Sequence, residues 1–127
     1  MNWYRIWKRR RSREDLSELQ PLIDSPTVVA SFPDSTDELL VLPGPAHVAI
    51  KTIASSSTGD FRLATGDGDF WDSPTLGAGQ FARLAFVEEG ETLTLTNGSG
   101  GGYTDDVQIG VLDGFGRFLP IWVLTCV

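Results

Sequence analysis

The chain ends on the run Ile121–Val127 (IWVLTCV), which has one polar residue and no charge. Seven residues fall short of an ordinary helix and suit a strand, and the β-branched content agrees. On a strand, successive side chains point to opposite faces. Ile121, Val123 and Val127 then share one face, and Trp122, Leu124 and Cys126 the other. A strand that is apolar on both sides needs neighbours in its sheet and cover on both faces. This predicts a central strand, with a partner subunit as one possible source of cover. The rest of the chain has to fold around its own last residues.

Upstream, short apolar runs alternate with turn residues. Strands are predicted over Thr27–Phe32, Leu39–Leu42, Ala46–Ile53, Phe61–Thr65, Gln80–Val87, Glu91–Thr96 and Val107–Val111. Glu91–Thr96 has the cleanest alternation, with Leu93 and Leu95 inward and Thr92, Thr94 and Thr96 outward. Between the strands lie PDSTD (33–37), PGP (43–45), GDGDFWDSP (66–74) and NGSGGG (97–102), all turn chemistry. No helical stretch is long enough for a parallel crossover. The expected fold is therefore all-β: an antiparallel β-sandwich, jelly-roll-like in preference to immunoglobulin-like. Cys126 is the only cysteine, so an internal disulfide and the immunoglobulin Cys…Trp…Cys pattern are both excluded. At 127 residues the chain has the length of one domain.

Charge divides the chain in two. Residues 1–13 (MNWYRIWKRRRSR) carry six of the ten Lys and Arg residues and no acid. The remainder has four basic and 17 acidic residues, a balance of −13. Residues 1–26 read as a basic, aromatic arm with a short helix, and residues 27–127 as the sandwich. On a helix, Trp3, Ile6 and Trp7 share a face. Ser12 is a candidate cap, Leu16 and Leu19 follow at helical spacing, and Pro21 is expected to end the helix. Four roles are open to the arm: a solubilising tail, a membrane-surface helix, a nucleic-acid contact, or docking onto protein. Docking is preferred, through Trp3, Tyr4, Arg5, Trp7, Arg9, Arg10 and Arg11, because Trp, Tyr and Arg dominate buried interface anchors. The expected partners are neighbouring subunits, in a homo-oligomer or a larger assembly. No run has the length of a membrane span or the layout of a signal peptide, so intracellular synthesis is expected.

Candidate chemistry is sparse. The loop Gly66–Pro74 brings Asp67, Asp69 and Asp72 near Phe70 and Trp71. Clustered carboxylates suit calcium, but Trp71 and Asp72 break the EF-hand pattern where a ligand and a Gly are required. Carboxylates beside aromatics also suit a sugar. Against both stands a plain turn, with Trp71 closing the end of the sandwich or a subunit contact. His47 is the only histidine, and no serine or cysteine has a nucleophile–base context around it. No enzyme, metal or cofactor is expected.

A basic aromatic arm (MNWYRIWKRRRSR) ahead of a compact β-sandwich (27–127) resembles the layout of small virion structural proteins. The resemblance lies in layout and rests on no motif. It implies an arm that reaches neighbouring subunits or packaged nucleic acid, and a location in the virion after synthesis in the host cytoplasm. The small size implies an accessory subunit (decoration, cement or vertex) in place of a main shell protein. The alternative is a carbohydrate-binding, lectin-like module that uses the Asp67–Asp72 loop.

Overall fold

A computed structural model describes residues 16–98 and 103–127. Within them the chain forms one short helix, α1 (Gln20–Asp24), and nine strands. The strands are β1 (Thr27–Phe32), β2 (Asp37–Val41), β3 (Ala46–Thr52), β4 (Phe61–Thr65), β5 (Phe70–Asp72), β6 (Phe81–Val87), β7 (Thr92–Asn97), β8 (Asp106–Leu112) and β9 (Phe118–Cys126). They make two sheets, ordered β1-β9-β8-β3-β6 and β2-β7-β4-β5.

The inward faces of both sheets supply one core. Phe32, Val48, Ile50, Ile109 and Leu124 come from the larger sheet, and Leu40, Phe61, Leu63, Leu93 and Leu95 from the smaller. Each such side chain, fully buried, contributes about 1.5–3 kcal/mol relative to exposure. The period-two reading of Glu91–Thr96 holds: Leu93 and Leu95 are fully buried, and the residues between them are not. Val107, Ile109 and Val111 are likewise buried, as their alternation predicts.

The terminal run is a central strand, as expected: β9 lies between β1 and β8. Two details differ from the sequence reading. First, β1 pairs with β9 in parallel, with Thr27 opposite Trp122 and Val29 opposite Leu124, so the larger sheet is mixed. The connection is not a crossover helix. Nearly the whole domain separates the two strands, so the requirement for a local crossover does not apply. Second, β9 starts at Phe118 and runs through Pro120. The proline is tolerated for two reasons. β1 reaches only as far as Trp122, so the first residues of β9 have a neighbour on the β8 side alone. Ile109 also pairs with Trp122 while Gly110 pairs with Pro120, which leaves Ile121 as the extra residue of a bulge. The bulge turns both Ile121 and Trp122 inward, at 0% and 6% exposure.

Pro21 does not end the helix. It stands in the first turn of α1, where its missing N–H costs no bond. The proposed cap Ser12 lies outside the described residues. The segment that leads into α1 packs on the sandwich: Leu19 is buried in the core, and Leu16, Leu22 and Ile23 lie against it. The expected loop 66–74 contains the short strand β5, formed because the turn at Thr65–Asp69 returns the chain antiparallel to β4.

Tyr103 fixes the far end. Its hydroxyl accepts from the backbone N–H groups of Ile53 (3.1 Å) and Ala54 (3.2 Å) and donates to the carbonyl of Asp106 (2.7 Å). Its ring meets Phe61 edge-on, with centroids 5.5 Å apart.

Candidate functional site

The acidic loop is positioned by the β4–β5 hairpin. In this register Leu63 faces Trp71, Arg62 faces Asp72 and Ala64 faces Phe70. Opposed residues share a face. Trp71 therefore stands on the core side with the buried Leu63 and is itself half-buried. Phe70 and Asp72 stand on the outer face. Asp72 is bound at both oxygens by Arg62, Nε at 2.6 Å and Nη2 at 3.0 Å, and the guanidinium lies 4.0 Å from the centroid of Phe70. That hydrogen bond holds the Asp72 carboxyl below the usual carboxylate range. Asp67 and Asp69 remain exposed in the turn. No group of three or more His, Cys, Asp or Glu side chains able to hold a metal occurs among the described residues. The exposed aromatic of this loop is Phe70, not Trp71.

A second site was not legible as such. It lies at the outer face of the larger sheet, where β3 pairs with the edge strand β6. His47 is opposite Phe86, and their rings meet edge-on at 5.0 Å. The register then slips, so Leu84 is an extra residue and Arg83 comes opposite Ala49. The small Ala49 leaves room for Arg83 to turn towards His47, and its Nη2 donates to Nδ1 at 2.9 Å. A guanidinium only donates, so Nδ1 accepts and the imidazole is neutral. Partial burial and the Arg83 charge both lower the pKa of His47, which agrees with that state. These residues wall a groove of about 420 Å³, together with Leu16, Pro45, Leu112 and Asp113.

The rim of the groove is the β8–β9 turn. Asp113 Oδ1 accepts from the N–H groups of Phe115 (2.8 Å) and Arg117 (2.9 Å), and Oδ2 accepts from Arg117 Nε (2.8 Å). These bonds lower the Asp113 pKa and fix the turn with Phe115 projecting, 83% exposed. Asp113 is thereby occupied by its own loop. Among the described residues the groove lining holds no Ser, Thr, Cys or Lys, and it offers an aromatic wall and a cation for binding.

The docking residues expected in the arm, Trp3, Tyr4, Arg5, Trp7, Arg9, Arg10 and Arg11, lie outside the described residues. The described chain starts at Leu16, on the wall of this groove. Sequence reasoning gave Arg83 and Phe86 no role and placed no chemistry at His47. Only the β3–β6 pairing brings His47 and Arg83 together across 36 positions. Comparison of the chain with protein-family models, with curated proteins and with solved structures gave no match.

Proposed function

We propose that this chain is a structural assembly subunit, a virion accessory protein of the decoration, cement or vertex kind, anchored by its N-terminal arm. The observation that carries this reading is apolar surface. Phe70, Phe81, Phe86 and Phe115 are 53, 41, 52 and 83% exposed, and Val28, Leu39 and Val41 exceed half. Such side chains are spread over the outer faces of both sheets and the turn beside the groove. Aromatic side chains are enriched where proteins dock, and several exposed ones on so small a domain support docking as its role.

Strand order supports the same reading. β2 pairs with β7, β3 with β6 and β4 with β5, as in one long hairpin folded over on itself. Without β9 the two sheets would read 1-8-3-6 and 2-7-4-5. That is jelly-roll order, and we read β9 as a ninth strand inserted between the first and the eighth. Fold alone does not assign function. It agrees here with a basic arm on an acidic body. We read the chain as non-catalytic, its lone His47 being kept neutral by partial burial and by Arg83 and paired with no carboxylate among the described residues. The sugar-binding alternative loses support, because Asp72 is bound to Arg62 and Trp71 stands on the core side of its strand.

The test is incorporation into particles assembled in the protein's own source. A tagged full-length chain is expected to sediment with them, and a chain lacking residues 1–15 to stay in the supernatant. Deletion to residue 15 leaves the buried Leu19 in place. A full-length chain that never sediments, or a deleted one that sediments equally, overturns the reading.

A further inference from the structure

The described chain begins on the wall of the groove at the outer face of the larger sheet. Leu16 stands there beside Pro45, Phe86 and Leu112. Asp15 is bonded to Leu16, so residues 1–15 leave the body at the groove itself. Carboxylates stand around this point. Glu18 lies over the 43–45 turn, where a Cβ on Gly44 would meet its Oε2 at 3.0 Å. Val87 pairs with Ala46 of the lining, and the turn that follows carries the exposed Glu88 and Glu89. The Gly90 N–H donates to the Leu42 carbonyl at 2.9 Å, which holds that turn against the chain entering β3. Glu18, Glu88 and Glu89 form no ion pair among the described residues. The lining itself presents the half-exposed Phe86 ring and Arg83, whose described side-chain partner is the neutral His47.

We propose that this groove seats residues 1–15 of the same chain, with an arm aromatic against Phe86 and Arg83 and the arm cations against Glu18, Glu88 and Glu89. The inference rests on the reading of residues 1–15 as a docking arm and gives that arm a seat in the unassembled subunit. Size, charge and tether select the occupant. A groove of about 420 Å³ takes a few side chains of a peptide segment and no folded domain. The segment joined to Leu16 supplies Trp3, Tyr4 and Trp7. Residues 1–13 also bring six Lys and Arg residues to a body whose balance is −13, so the arm is attracted where a second body is repelled. Arg83 does not oppose this, because Trp is the best π-partner for a guanidinium. Trp7 stands nine positions before Leu16. At about 3.3–3.6 Å per residue it stays within roughly 30 Å of the groove wall. A tether this short gives an effective concentration on the order of millimolar, which favours the chain's own arm over that of another copy. Docking onto a neighbour then exchanges this seat for one on the neighbour, and the groove restrains association until a better site is offered.

The test uses the isolated full chain. NMR is expected to show nuclear Overhauser contacts from the indole protons of Trp3 or Trp7 to the Phe86 ring. In a mixture of labelled and unlabelled chains these contacts are expected within one chain, at every concentration. Trypsin cleavage within Arg9–Arg13 reads the same seat, because a terminus that is tied down is nicked slowly. Phe86→Ala removes the aromatic wall, and Glu88→Lys/Glu89→Lys reverses the charge beside it; all three side chains are exposed. Each variant is expected to speed cleavage at least tenfold while core amide exchange stays unchanged. If a variant fails to fold, the contacts in the unaltered chain decide alone. An arm with no contact to Phe86, or with contacts only between chains, overturns the proposal. Cleavage at the parent rate in either folded variant also overturns it. Particle incorporation is a separate measurement, so the assembly reading and this contact can fail independently.

Discussion

Arg62 reaches across the β4–β5 hairpin and holds both carboxylate oxygens of Asp72, at 2.6 and 3.0 Å, while its guanidinium covers Phe70. One cation thereby takes up the carboxylate that a calcium or sugar site in this loop would need. The pair is solvent-exposed, so its importance lies in occupancy more than in stability. The Asp72 pKa is lowered, first by the hydrogen bond from Arg62. The linkage sign follows. The contribution is present above the ordinary carboxylate pKa of about 4 and is lost as pH falls through the lower folded value. Carboxyl-resolved NMR is expected to show Asp72 titrating below the ordinary carboxylate value of about 4. Arg62→Ala is expected to raise the Asp72 midpoint. Added calcium is expected to leave the Asp67, Asp69 and Asp72 resonances in place. Calcium-dependent shifts in the unaltered protein would restore the metal reading.

Tyr103→Phe removes one oxygen and three hydrogen bonds at once. The N–H groups of Ile53 and Ala54 and the carbonyl of Asp106 each lose a partner. The Ile53 N–H and the Asp106 carbonyl keep their bond to each other at 3.2 Å, so the Ala54 N–H is the group left unpaired, and one such group in a partly buried setting costs about 1–3 kcal/mol. Denaturant unfolding is expected to show a loss of that size with little change in slope. Burial raises the phenol pKa, so this contribution is complete below about pH 10 and disappears as pH climbs through the folded value. The unaltered protein is expected to lose stability more steeply above that pH than the Phe variant.

The sequence was most legible where period and punctuation agreed. In β7 the alternation of Leu93 and Leu95 with threonines admits one orientation only. The apolar run ending at Cys126 required a place inside a sheet. What failed depended on long-range pairing. Nothing near Thr27 announces a parallel partner at Trp122, and Pro120 looks like a strand boundary until β1 is seen to stop short of it. Pro21 is compatible with either end of a helix, and the packing of Leu19 decided which. The acidic loop was visible, but Arg62's hold on Asp72 depends on register. The His47–Arg83 contact depends on a bulge, and no local signal encodes either.

Gly110 marks the β8 side of the other bulge, the one at Ile121 of β9. A Cβ there would meet the carbonyl oxygen of Leu119 and come within 2.7 Å of the Phe118 ring. The ring can swing aside, but the carbonyl belongs to the β8–β9 ladder. Gly110→Ala is therefore expected to cost about 1–3 kcal/mol, towards the upper end, by overpacking. Thermal unfolding measures it. Amide exchange is expected to quicken over Leu119–Trp122 more than in β7. A variant as stable as the parent would show that the bulge relaxes freely.

Trp122 is expected to be the most costly single truncation in the sandwich. It is 6% exposed, belongs to the core cluster, and sits where β9 first gains its second neighbour, opposite both Thr27 and Ile109. Leu124 and Cys126 continue the same buried face. Trp122→Ala removes transfer free energy and leaves a cavity, at about 3–5 kcal/mol. A domain of this size has about 5–15 kcal/mol in total, so a large unfolded fraction is expected. Self-association can mask the loss by mass action, so the midpoint should be measured at several protein concentrations. The expected result is a large shift that grows on dilution. A shift worth under about 1 kcal/mol at every concentration, far below the usual cost for a buried Trp, would contradict the core placement of this side chain.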